Sequence, residues 1–150
     1  MKKSIVVDIF SCFFIVLFLY TGLMKFLEHD VFLTALQRSP LLLKFAPILS
    51  ILVPLGELLI AISMLIPQSR KLGLYGFLIM MCIFTIYIGF MLYFRSDRPC
   101  TCGGIIKYMN WHQHFYFNSG FILLAILAIW LDKKLKQQDL KQLNRDFNTY

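Results

Sequence analysis

A chain of 150 residues that is 59% hydrophobic and only 15% charged is too apolar for a soluble domain, in which about 45–50% of residues are apolar. Its formal net charge of +7 does not call for nucleic acid, because the Lys and Arg residues gather at the ends of long apolar runs, where membrane topology accounts for them. Four such runs leave no room for a second domain. We expect an all-α integral membrane four-helix bundle over residues 1–131, with spans at about 5–27, 45–66, 72–94 and 115–131, since a helix needs ~20 apolar residues to cross the hydrocarbon.

The first run follows Met1-Lys2-Lys3. It is too long for the apolar region of a secretory signal and has no small-residue cleavage site, so it should remain as a helix. Ser11-Cys12 faintly resembles a lipoprotein cleavage site, but Asp8 and only a few apolar residues precede it, and Cys12 reads better as a buried or lipid-facing thiol. Lys25, after Tyr20-Thr21-Gly22-Leu23-Met24, either snorkels to water or turns inward toward Glu57; by simple counting it lies too shallow for a secure pair. In the connection Glu28 to Lys44, Val31, Phe32, Ala35 and Leu36 recur at helical spacing until Ser39-Pro40, which suits a short helix along the membrane surface.

Glu57 is the one acid deep within a span, where ionisable groups are costly and usually functional. At the helical rise it lies about 15 Å along from Pro47, and Asn118 about 12 Å along from Asn110, so the two can meet. The bland account of Glu57 is a protonated carboxyl bonded to a neighbouring helix. Pro67 to Lys71 is a tight turn that makes the second and third spans antiparallel neighbours. Cys82, mid-span, reads as packing. No cofactor is certain: Met80, Met81 and Met91 with the many Tyr and Phe residues fit a quinone near Glu57 and Tyr20, but bundle packing explains them with less.

The connection from Arg95 to His114 holds Pro99-Cys100-Thr101-Cys102-Gly103-Gly104. Two thiols one residue apart can form a disulfide, pass one on, or hold a soft metal. Two extended residues span at most ~7 Å between α-carbons, so a Cys100–Cys102 bond requires a bent backbone and would be strained and readily reduced. Arg95, Arg98 and Lys107 would favour the reactive thiolate. A metal would need Cys100, Cys102, His112 and His114, but the two histidines diverge on a helix, which tells against a shared ion; no metal ligand is assigned, and metal handling through Cys100, Cys102 and His114 stays a second alternative. Trp111, His114 and Asn118 instead fall on one helical face, and an inward His114 would stabilise a thiolate or relay a proton.

With the N-terminus in the cytoplasm, that side holds Lys2, Lys3, Arg70, Lys71, Lys133, Lys134, Lys136, Lys141 and Arg145, against Lys25, Arg38, Lys44, Arg95, Arg98 and Lys107 on the other. The bias favours both termini in the cytoplasm and places Cys100 and Cys102 in an oxidising compartment. Residues 132–150 then form a polar cytoplasmic tail, a juxtamembrane helix drawn to anionic lipid and fraying at its end.

Together, Gly22-x-x-Lys25, Pro54-x-x-Glu57, Cys100-x-Cys102-Gly103-Gly104 and Trp111-x-x-His114-x-x-x-Asn118 resemble the DoxX-like membrane family, in its MauE (methylamine-utilisation) branch, over about Val7 to Leu131. Gly104 stands where that family commonly has an aromatic residue. The resemblance implies a multi-pass protein of the bacterial inner membrane with a redox-associated role beside a thioredoxin-like partner. We therefore expect thiol–disulfide exchange with an extracytoplasmic thioredoxin-like or substrate protein through Cys100 and Cys102. His114 would act with them, Arg95 and Arg98 would tune the thiols, and Glu57, Asn118 and Lys25 would form a buried polar cluster. The alternative is a non-enzymatic subunit or assembly factor of a larger envelope complex, with a structural Cys100–Cys102 bridge.

Overall fold

In hydrocarbon every backbone N–H and C=O must be bonded within the protein, which leaves a chain of this composition the α-helix as its main element. The computed structural model describes residues 5–94 and 111–147. Arg95, Arg98, Cys100, Cys102 and Lys107 lie outside the described residues. Five α-helices occur among those described: α1 (Ile5–Leu27), α2 (His29–Gln37), α3 (Ala46–Leu65), α4 (Arg70–Phe94) and α5 (Trp111–Phe147), with a 3-10 turn at Leu43–Phe45. Among the described residues four helices, α1, α3, α4 and α5, contain stretches long and apolar enough to cross a membrane. The chain is a multi-pass membrane helical bundle.

Helices α1, α3, α4 and α5 neighbour one another in that order around the bundle, and α5 closes it against α1. Their outward faces carry Ile9, Phe13 and Val16, Leu55, Leu59 and Ile62, Ile79 and Ile86, and Leu123 and Leu127, all exposed. Such a rim is stable only against lipid tails. Hydroxyls within the spans satisfy themselves on their own helix: Ser11 donates to the Val7 carbonyl at 2.8 Å, Thr21 to Leu17 at 2.9 Å and Thr85 to Met81 at 2.7 Å.

We call the end where α1 finishes and α3 begins the cavity end, and the opposite one the far end. Toward the far end the core is dry and aromatic. Phe14 stacks on Phe77 with ring centroids 4.3 Å apart, Phe18 lies 4.5 Å from Phe77, and Phe121 meets Phe14 edge-on at 6.1 Å. Ala61, Ala125 and Ala128 are fully buried beside them, small enough to bring the helices together. A Cβ added to Gly73 would lie 2.8 Å from the Met64 nitrogen, so only glycine lets α4 start so close to the end of α3. At this end the Arg70 guanidinium donates to Asp8 at 2.6 Å, tying the start of α4 to the start of α1.

One boundary departs from expectation. Arg70 and Lys71, assigned to a turn, already belong to α4, because the Ser69 carbonyl accepts from the Gly73 N–H at 2.9 Å and begins the helix early. The polar residues after Leu131 are helical, and they continue the last span, since α5 runs without a break to Phe147. No Gly or Pro interrupts it after Gly120, Asp132 pairs with Lys136 one turn on at 3.1 Å, and the Lys134 ammonium lies 4.9 Å from the Trp130 ring centroid. At the cavity end α2 packs on α3 and buries Phe32 and Leu36, which cluster with Ala46, Leu49 and Val53. Cys12 is exposed on α1 and Cys82 is partly buried in α4, both as free thiols.

A buried ion pair beside an apolar cavity

Lys25 and Glu57 form a two-toothed ion pair. The ammonium donates to Glu57 Oε1 at 2.7 Å and Oε2 at 2.9 Å, with side-chain exposures of 8% and 1%. Counting from the helix ends made Lys25 too shallow for this, because it treated the two ends as level. They are not level. A Cβ on Gly22 would lie 3.1 Å from Leu58 and 3.2 Å from the Pro54 carbonyl, so α1 presses on α3 at the turn that carries Glu57. Lys25 stands one turn beyond. Side chains lean toward the N-terminus of their own helix, and α1 and α3 are antiparallel, so Lys25 and Glu57 lean toward each other.

Aromatic faces surround the cation. The Lys25 ammonium lies 5.8 Å from the Phe32 ring centroid and 5.6 Å from that of Phe84, within the range of cation–π attraction. Removing two charges from water is expensive, and a buried pair holds its charge only with good geometry and further polar contacts. Two short bonds on the carboxylate and two rings at the ammonium meet that requirement.

The pair forms part of the wall of a cavity of about 210 Å³. Its polar lining residues are Thr21 and Lys25 of α1, Glu57 of α3, Tyr87 of α4, and His114 and Asn118 of α5. Phe18 and Met81 close it toward the aromatic core, and Phe32, Leu36 and Leu42 cover it at the other side. His114 and Asn118 are both buried, one helical turn apart, whereas His112 is exposed. Among the described residues no group of three or more His, Cys, Asp or Glu side chains could hold a metal ion. The Asn118 Nδ2 is buried and has no hydrogen-bond partner among the described residues, although an unmet buried donor costs about 1–3 kcal/mol.

Sequence reasoning named Lys25, Glu57, His114 and Asn118, and the fold gathers all four around one cavity. It missed Thr21, Phe84 and Tyr87. Thr21 had a signal, lying four residues before Lys25 on the same helical face. Tyr87 and Phe84 had none, being two aromatics in a run crowded with them. Tyr20, named beside Glu57, does not line the cavity, because its neighbour Thr21 holds the inward position.

The family model described as methylamine utilisation protein MauE matches residues 3–131 of this chain. No curated protein matches it. No solved structure does either.

Proposed function

We propose that this chain, which belongs to the MauE family, is a membrane accessory protein that exchanges thiols and disulfides with an extracytoplasmic partner through Cys100 and Cys102. One observation carries the reading. The connection that holds both cysteines joins the C-terminal end of α4 to the N-terminal end of α5, and these two ends contribute Tyr87, His114 and Asn118 to the cavity. The family match also spans that connection.

In this reading the termini are cytoplasmic and the membrane is the bacterial inner membrane. A Cys100 or Cys102 thiolate attacks a disulfide of a thioredoxin-like or substrate protein, forming a mixed disulfide and releasing one partner thiolate. The second cysteine, as thiolate, attacks its neighbour's sulfur, which frees the partner as a dithiol and leaves Cys100 and Cys102 oxidised. The reverse sequence oxidises the partner. Arg95 and Arg98 favour the thiolate, and His114, which faces the cavity while His112 faces away, takes up or returns a thiol proton.

The test is the redox state of this pair in intact cells, read by gel-shift alkylation. Exchange gives a mixed reduced and oxidised population, and changing one cysteine to serine accumulates a mixed disulfide with the partner that disappears when both are changed. A pair that stays oxidised under mild reductant, with no mixed disulfide in either single variant, would show instead a bridge stiffening the docking loop of an envelope-complex subunit.

A further inference from the structure

The far end of the bundle carries positive charge that the fold leaves unbalanced. Near the lipid edge there, Asp8 is taken by Arg70 and Asp132 by Lys136. Lys71, Lys133 and Lys134 remain, and none of them has an acidic partner among the described residues. Two of the three converge on one seam. The Lys133 ammonium lies 6.0 Å from the Tyr75 ring centroid, so this α5 side chain turns toward α4, and Lys71 stands one helical turn before Tyr75 on the same face of α4. Both lysines are exposed, and Tyr75 is half-buried.

What lies beside these lysines decides what they hold. Leu72 and Ile79 of α4 and Trp130 of α5 are strongly exposed, so apolar surface runs from the lysines toward the middle of the spans. Acyl chains fit that surface, and a soluble anion would leave it unused. Two unbalanced ammonium groups call for a headgroup of net negative charge, since a zwitterionic one brings its own cation. The rest of α5 adds little. The helix is unbroken to Phe147 and cannot fold down onto the membrane surface, so Lys141 and Arg145 stand about 15 and 21 Å beyond Leu131 along its axis, farther than the ~8–10 Å over which salt water transmits a charge.

We propose that the seam between α4 and α5 at the far end binds an anionic phospholipid, with Lys71 and Lys133 on its phosphate and its acyl chains along Leu72, Ile79 and Trp130. The two lysines belong to different helices, so a shared phosphate ties the start of α4 to α5 at the end opposite the connection that carries Cys100 and Cys102. Binding here depends neither on the thiol reading above nor on which leaflet this end faces.

Titrating dioleoylphosphatidylglycerol into the purified full-length protein in non-ionic detergent micelles, with the retained lipid counted by native mass spectrometry, tests the site. We expect saturable retention in preference to dioleoylphosphatidylethanolamine present in equal amount. Lys71→Gln and Lys133→Gln should each weaken it about fivefold and together about twenty-five-fold, the worth of one and of two lysines at an anionic lipid surface. Lys71→Arg with Lys133→Arg should keep it, which separates lost charge from lost fold. Lys141→Gln with Arg145→Gln should leave it unchanged. Equal retention of the two lipids, displacement by millimolar inorganic phosphate, loss in the arginine pair, a loss with Lys141→Gln and Arg145→Gln as large as with Lys71→Gln and Lys133→Gln, or indifference to the latter two would overturn the proposal.

Discussion

The two ends of this bundle solve opposite problems with the same four helices. At the far end, Phe14, Phe18, Phe77 and Phe121 interlock around buried alanines, and the ion pair that ties helices together there, Asp8–Arg70, sits partly exposed at the helix starts. At the cavity end the helices enclose space, and an ion pair exposed by only 8% and 1% lines it. Lipid tails are as apolar as the core, so packing rather than hydrophobicity holds helices together in a membrane. The far end makes full use of packing. The cavity end gives part of it up, and such a sacrifice is the mark of a site for something else.

Breaking the cavity-end pair should have the largest effect. Glu57→Gln or Lys25→Met alone is expected to cost about 3–5 kcal/mol by stranding the other charge, read as a fall in thermal unfolding temperature in detergent. Lys25→Met with Glu57→Leu should recover most of that loss; a double variant as unstable as the singles would show that the pair matters through packing instead. Phe77→Ala at the far end should cost about 2–3 kcal/mol, less than in a soluble core because lipid offers the exposed apolar surface no penalty. It should leave the redox state of Cys100 and Cys102 in the alkylation assay unchanged, and a change there would mean the two ends are not separate. The smallest effect belongs to Asp8→Asn, expected to cost no more than about 1 kcal/mol because an exposed pair is worth little. Raising ionic strength should shrink it further in the same unfolding assay.

Much of this was readable along the chain. The runs beginning at Ile5 and Phe45 announced helices because nothing but a helix satisfies a backbone in hydrocarbon. Glu57 stood out because an acid in such a run must have a partner or a purpose. His114 and Asn118 shared a face by helical phase alone. The partner of Glu57 did not follow, because the depth of a residue within one helix says nothing of how far that helix is shifted against the next. Gly22 sets that shift by letting α1 press against Pro54 and Leu58, and a glycine in a list of small residues carries no such label. A helix after Asp132 was legible, but its continuity with the last span was not: the change from apolar to charged residues at Asp132 gives no sign whether the helix breaks there.

The sequence by itself thus determined the class of molecule and the residues with chemistry to offer. Hydropathy and helical phase are local properties, and they name Lys25, Glu57, His114 and Asn118 without any knowledge of neighbours. Only the tertiary structure decided that these four share one cavity, that Lys25 neutralises Glu57 inside it, and that Asn118 Nδ2 is left without a partner. Those are relations between helices, set by how closely backbones approach and by which way antiparallel side chains lean, and no single stretch of sequence contains them.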